Sequence, residues 1–139
     1  MKKANFFLRV DLISNFMFAL LWVFFPKELL KYNFELKTYD DLHMHLSRVL
    51  GLACLSSGML SHYALKKDCA TTKAKILSIK MIGYILLLLT MMLDNMSSKI
   101  MGDKHVVFGM FGIILLIINC YLGIKSLKKY IRKKQIKNN

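Results

Sequence analysis

The sequence contains almost no proline and few acidic residues, and both shortages restrict the fold. Pro26 is the single proline among 139 residues, which favours long continuous helices over a β-rich domain. The 8 Asp and Glu face 21 Lys and Arg, so the net charge is +13. The 3 cysteines form neither a CxxC pair nor a metal pattern. The sequence contains no recognisable set of nucleophile, base and orienting acid, and no phosphate-binding glycine loop. It therefore predicts no enzyme, no cofactor and no metal site.

Apolar residues make up 55% of the chain, and they are separated from the basic ones. Four apolar segments cover residues 4–25, 42–65, 76–93 and 106–124, and each is close to the roughly 20 residues that cross a bilayer. A basic tail, 125–139, is expected to continue the last helix. The predicted fold is a single all-α domain, an antiparallel integral membrane four-helix bundle. A water-soluble bundle would need charged helix faces, which segments three and four lack.

The residues at the two ends of the first segment distinguish a membrane helix from a signal peptide. A charged start precedes a short apolar run, as in a signal peptide, but bulky residues and Pro26 follow it in place of a small-residue cleavage site. We therefore predict a transmembrane helix. The connection that follows, 26–43, mixes charges with Leu, Phe and Tyr, which indicates a partly ordered outer loop at the membrane surface.

The distribution of positive charge predicts the orientation. Lys and Arg concentrate at the N-terminus, between segments two and three, and in the tail, whereas most acidic residues lie in the other two loops. The positive-inside rule then places both termini in the cytosol, at the endoplasmic reticulum or plasma membrane. The sequon at Asn95 lies so close to the outer membrane surface that we expect it to be unused. Nucleic-acid binding has no support from a known motif. The tail residues expected to contact anionic headgroups are Lys125, Lys128, Lys129, Arg132, Lys133 and Lys134.

Polar residues within the apolar segments are expected to face the bundle interior, in two layers. We interpret both layers as bonds between helices, because no chain of acids and bases crosses the apolar middle as a proton or ion relay would require. The outer layer contains Arg48, Thr90, Asp94 and Ser97, and the inner layer contains Asp11, Asn15, Ser61, His62 and Asn119. The candidate partners of Arg48 are Asp94, Asp40 and Asp41, and those of Asp11 are His62, Arg9 and Lys66.

Small residues at heptad spacing predict where helices approach closely. Cys69 and Cys120 lie near the basic side, where palmitoylation is an alternative to an ordinary thiol. A surface metal site at His43 and His45 is a weaker alternative, since no third ligand has a defined helical spacing. The residues assigned to helix packing are Ser47, Gly51, Cys54, Gly58, Gly109, Gly112 and Gly123.

Two short motifs resemble a known group of membrane proteins. Phe25-Pro26-Lys27-Glu28-Leu29-Leu30 follows the first segment, and Arg48-Val49-Leu50-Gly51 opens the second, with Gly58 one heptad later. This arrangement is similar to the DoxX-like group of small four-helix membrane proteins. The resemblance implies a scaffold, similar in layout to sterol-binding and chaperone-like four-helix proteins. The acidic pocket residues of a sterol isomerase or a sigma-type receptor are not recognisable.

These features predict a non-enzymatic accessory or assembly subunit of a larger membrane complex, such as a channel, a transporter or a lipid-handling assembly. Its expected partners are membrane lipids and a larger membrane protein. The alternative is a protein that binds a lipid or sterol between its helices. A small membrane enzyme is the weakest alternative.

Overall fold

Five helices make up the described structure. The computed structural model describes residues 1–34, 41–98 and 103–138, and within these ranges the side chains at 32–34, 94–98, 103–109 and 137–138 are left undescribed. No strand occurs in these three ranges, so the predicted all-α class is confirmed. The helices are α1 (Lys2–Phe24), α2 (Pro26–Phe34), α3 (Asp41–Lys66), α4 (Ala70–Ser98) and α5 (Asp103–Asn138).

The single proline determines where α1 ends. A residue before proline is disfavoured in the helical region, and Phe25 has φ −123° and ψ 44°. Pro26 then begins α2, where its missing N–H costs nothing because the first helical N–H groups have no partner in the helix. Leu30 of α2 is buried. The first half of the predicted outer loop is therefore an ordered helix.

Two helices extend beyond the apolar segments that predicted them. Helix α4 begins at Ala70 rather than at residue 76, and α5 continues to Asn138 rather than ending at 124. Hydropathy marks the part of a helix suited to lipid, whereas Ala, Lys, Arg and Gln propagate a helix well in water. The prediction that the basic tail continues the last helix is confirmed.

Helices α1 and α3 form the most extensive helix pair and run antiparallel. A Cβ atom at Gly58 would lie 3.5 Å from Cβ of Asn15, and one at Gly51 would lie 3.2 Å from the carbonyl oxygen of Ala19. Later residues of α1 therefore contact earlier residues of α3. Small residues on α3 permit this close approach.

Helices α4 and α5 complete the arrangement. Helix α4 packs extensively on α5 and less on α3, and α5 also packs on α1. Lys73 bonds to Asn5 and Lys80 bonds to Asp11, so α4 runs parallel to α1. Helices α1 and α4 thus each contact the three other long helices, whereas the contacts of α3 and α5 are mainly with these two.

The apolar core lies near the N-terminal end of α1, and much of the remaining apolar surface is exposed. Ile79 and Leu93 are each 64% exposed and Phe24 is 69% exposed, as expected for side chains that face lipid. Within the described residues, three helices are long and apolar enough to cross a membrane: Lys2–Phe24, Ala70–Leu93 and Met110–Ile136. The core consists of Ala4, Leu8, Ala64, Leu77, Cys120, Ile124 and Leu127.

Candidate functional site

A buried ion pair joins α1 to α4. The carboxylate of Asp11 contacts the ammonium of Lys80, and both side chains are almost fully shielded from solvent. An isolated charge at such a position would cost several kcal/mol, so each group needs the other. The pair joins two helices that are far apart in the sequence.

Lys80 has a partner for each of its three N–H groups. Besides Asp11, its Nζ donates to the backbone carbonyl of Ser57 at 2.9 Å and to Oγ of Ser61 at 2.7 Å. The hydroxyl of Ser61 donates to Oδ2 of Asp11 at 2.5 Å. The ammonium of Lys80 therefore also connects α4 to α3, and it has no further N–H group to donate.

The second oxygen of Asp11 is bonded as well. The hydroxyl of Tyr84 donates to Oδ1 of Asp11 at 2.8 Å. Nδ2 of Asn15 donates to the hydroxyl of Tyr84 and to the backbone carbonyl of Asp11, both at 2.8 Å. A network satisfied in this way holds three helices at a fixed rotation and height. We call Asp11, Asn15, Ser61, Lys80 and Tyr84 the Asp11–Lys80 network.

Two further polar contacts lie nearer the N-terminal end of α1. Lys73 is fully buried, and its Nζ donates to Oδ1 of Asn5 at 2.7 Å. Nδ2 of Asn119 donates to the backbone carbonyl of Phe7 at 3.0 Å. Together they connect α1 to α4 and to α5.

The structure brings together three residues of the predicted inner layer, namely Asp11, Asn15 and Ser61. Asn119 bonds elsewhere on α1, and His62 is exposed. The predicted partners of Asp11 were wrong, because His62, Arg9 and Lys66 are all exposed whereas Lys80 is buried beside the carboxylate. Successive helical residues point about 100° apart, so Ser61 faces the interior while His62 does not.

The predicted outer layer is described only in part. Arg48 and Thr90 are both exposed, and the hydroxyl of Thr90 donates to the carbonyl of Leu87 in its own helix at 2.8 Å. The side chains of Asp94 and Ser97 fall outside the described residues. An ion pair between Arg48 and Asp94 thus stays a prediction.

The predicted small-residue contacts divide into used and unused positions. Ser47, Gly51, Gly58 and Gly123 are buried, and Cys54 is half-buried. A Cβ at Gly123 would lie 2.8 Å from Cδ1 of Leu77. Gly112 is half-buried, and a Cβ there would meet no atom of the described residues within 4 Å, so its role in helix packing stays a prediction. The surroundings of Gly109 lie outside the described residues.

Sequence reasoning missed the two α4 residues that complete the network. Lys80 lies close to the basic loop between segments two and three, but Lys73, Leu77, Lys80 and Tyr84 follow one another at spacings of four, three and four residues. That spacing puts them on one helix face. A lysine on the same face as a tyrosine within an apolar helix was the available signal for an inward-pointing cation.

An apolar groove runs between α1 and α3 on the solvent-accessible surface of the helix bundle. Its volume is about 430 Å³, and its lining includes Leu12, Phe16, Met17, Leu55, Met59 and, at one end, His62. This volume lies within the range of small-molecule sites. We call it the α1–α3 groove.

Cys69 is an exposed thiol at the start of α4, where hydrogen bonds stabilise its thiolate. The hydroxyl of Thr72, followed by the backbone N–H groups of Thr72 and Thr71, lowers the pKa of the Cys69 thiol to about 7. The thiol lies beside a cavity of about 300 Å³ that Tyr130 and Lys134 of the tail also line. In the described part of the chain, no three His, Cys, Asp or Glu side chains group as metal ligands.

A family model described as "Domain of unknown function (DUF8292)" matches residues 1–125. The chain belongs to the DUF8292 family. The DUF8292 match contains the whole Asp11–Lys80 network and the α1–α3 groove, and most of the basic tail lies beyond it. No curated protein and no solved structure matches the chain.

Proposed function

We propose that this DUF8292 protein crosses a membrane four times, with both termini in the cytosol, and acts as a non-enzymatic accessory or assembly subunit of a larger membrane complex. The observation that carries the proposal is a pair of unused glycines. A Cβ at Gly83 of α4 or at Gly112 of α5 would meet no atom of the described residues within 4 Å. In lipid, glycine on an outward helix face allows another helix to approach closely.

The heights of the basic residues support four crossings. Ser61 and Lys80 both bond Asp11, and the exposed Lys66 and Lys75 each lie five residues nearer the cytosolic end. We call Lys66, Lys75 and the exposed Lys125 of α5 the basic rim. The network then lies about 7.5 Å from this rim, toward the middle of the membrane. From Lys66 to Arg48, α3 spans about 27 Å, close to the thickness of the hydrocarbon core.

The bonding of the Asp11–Lys80 network favours a structural role over catalysis. A nucleophile or base must reach a substrate, whereas the hydroxyls, the amide N–H groups and the ammonium of the network are engaged with one another or with backbone. Four of its five side chains are buried, and Tyr84 is half-buried. These contacts support a subunit whose polar residues stabilise its own helices.

A lipid- or sterol-binding protein is the second candidate. The α1–α3 groove favours it, because an apolar groove of about 430 Å³ on a lipid-facing surface suits a hydrocarbon chain. The similarity to DoxX-like proteins, which implies a scaffold, stays a prediction that rests on the motifs around Pro26 and Arg48.

The proposed orientation predicts which side of the membrane exposes Cys69. In sealed vesicles, a membrane-impermeant maleimide should label Cys69 from the cytosolic face, and the rate should rise through about pH 7 as the thiolate forms. A Cys69→Ser variant should lose this labelling, because Cys54 is half-buried and Cys120 is buried. Labelling of Cys69 from the opposite face would contradict the orientation.

The accessory role predicts a stable larger partner. After gentle extraction from its native membrane, the 16.1 kDa chain should migrate in a complex of much greater mass with one membrane protein in fixed proportion. A Gly83→Leu/Gly112→Leu variant should fold but release that partner, since a Cβ at either position meets no described atom within 4 Å. A chain that is monomeric in its native membrane would contradict this function.

A further inference from the structure

The walls of the α1–α3 groove lead to positive charge at its cytosolic end. On α3, Lys66 lies four residues beyond His62, which lines the groove. On α1, Arg9 lies four residues before Ile13, which lines it too. Residues four apart are neighbours on a helix face, so both walls end at a cation. Arg9, His62 and Lys66 are all exposed.

No described carboxylate forms an ion pair with Arg9 or Lys66, and the exposed Asp68, two residues beyond Lys66, lines the separate cavity beside Cys69. The groove lining contains no carboxylate among the described residues. Asp11 is at the same height, but it is buried and bonded to Lys80, Ser61 and Tyr84. The mouth therefore carries uncompensated positive charge next to an apolar channel.

We propose that the α1–α3 groove binds an anionic phospholipid of the cytosolic leaflet. One acyl chain lies along Phe16, Leu55 and Met59, and the phosphate lies at Arg9, His62 and Lys66. The site rests on the membrane orientation proposed above but needs no protein partner. It deepens the lipid-binding candidate by specifying the charge of the ligand and the leaflet that supplies it.

Charge complementarity selects this occupant over two others. A sterol would fill the apolar part but offers no anion to Arg9 and Lys66. A second copy related by a two-fold axis along the membrane normal would bring the same cations together at one height, which is repulsive. A phospholipid with a net negative headgroup satisfies both ends of the groove.

Native mass spectrometry of the full-length protein, titrated with phosphatidylglycerol or with phosphatidylcholine of the same acyl chains, tests the site. An Arg9→Gln/Lys66→Gln variant removes the mouth charges, and Lys3→Gln/Lys75→Gln removes two exposed cations elsewhere at the cytosolic end. Met59→Trp fills the groove. Ile82→Trp is its control, because Met59 and Ile82 are both exposed and lie at one depth in the membrane. Ser61 bonds to Lys80, Met59 lies two residues before Ser61, and Ile82 lies two residues after Lys80 on a helix that runs the opposite way.

The wild-type protein should retain phosphatidylglycerol in preference to phosphatidylcholine. The mouth variant should bind phosphatidylglycerol about thirtyfold more weakly, the loss expected for two interfacial cations. Met59→Trp should abolish retention, and both controls should bind like wild type. Equal binding of the two lipids, equal losses in both charge variants, unaltered binding by Met59→Trp, or a lipid-free dimer would each overturn the site. Lipid retention without any co-purified partner would leave this site standing while the accessory role failed.

Discussion

Replacing Lys80 by methionine (Lys80→Met) is expected to destabilise the fold by about 3–5 kcal/mol, the usual cost of leaving a buried partner charge uncompensated. The carboxylate of Asp11 would remain buried, with only the hydroxyls of Ser61 and Tyr84 to stabilise it. Asp11→Asn is expected to cost a similar amount, because Lys80 would keep its charge and lose its counter-ion. Reversible unfolding in mixed micelles measures the free energy.

The double variant Asp11→Asn/Lys80→Met should recover most of the loss, since it removes both charges at once. The matched control is Lys75→Met, which removes an exposed lysine from the same helix and should change stability by less than about 0.5 kcal/mol. Single variants as stable as wild type, or a double variant with the sum of both losses, would show that the pair does not stabilise the fold.

The second large effect is expected at Gly51, where α3 meets α1. Gly51→Ala should cost about 1–3 kcal/mol by overpacking. Its new Cβ would lie 2.7 Å from Cγ2 of Val23, 3.1 Å from Cβ of Trp22 and 3.2 Å from the carbonyl oxygen of Ala19. Two of these atoms belong to the backbone or lie next to it, so the helices must move apart. Thermal denaturation in detergent measures the loss.

Glycines on the open helix faces provide the control for Gly51. Gly83→Ala and Gly112→Ala should leave stability unchanged or raise it by up to about 1 kcal/mol, because alanine is the better helix former and neither Cβ meets an atom of the described part of the chain within 4 Å. If all three alanine variants had the same stability, close packing at Gly51 would not contribute to the fold.

The helices could be predicted from the sequence because apolar runs and a single proline leave few alternatives. The polar ends of α4 and α5 could not be delimited in this way, since the residues before Ile76 and after Ile124 are good helix formers without being apolar. Helix α2 was expected only as partial order, because nine residues of mixed polarity form no clear periodic pattern.

The sequence indicated most residues of the polar site but not which residues bond to one another. Asp11, Asn15 and Ser61 were recognisable because polar groups in an apolar helix need interior partners. Lys80 was missed because a lysine near a basic loop is expected to lie at the membrane surface. Only the rotation of α4 about its axis points this side chain inward. The same uncertainty in rotation explains why the sequence predicted close packing at both Gly51 and Gly112, although contacts to the described residues occur only at Gly51.

The most direct test of a purely structural Asp11–Lys80 network is the native mass of the double variant Asp11→Asn/Lys80→Met after extraction from its native membrane. A folded double variant should migrate in the same large complex as the wild-type chain, because neither charge is needed outside the fold. A double variant that folds normally but migrates as the 16.1 kDa chain alone would show that the buried ion pair has a function beyond holding the helices together.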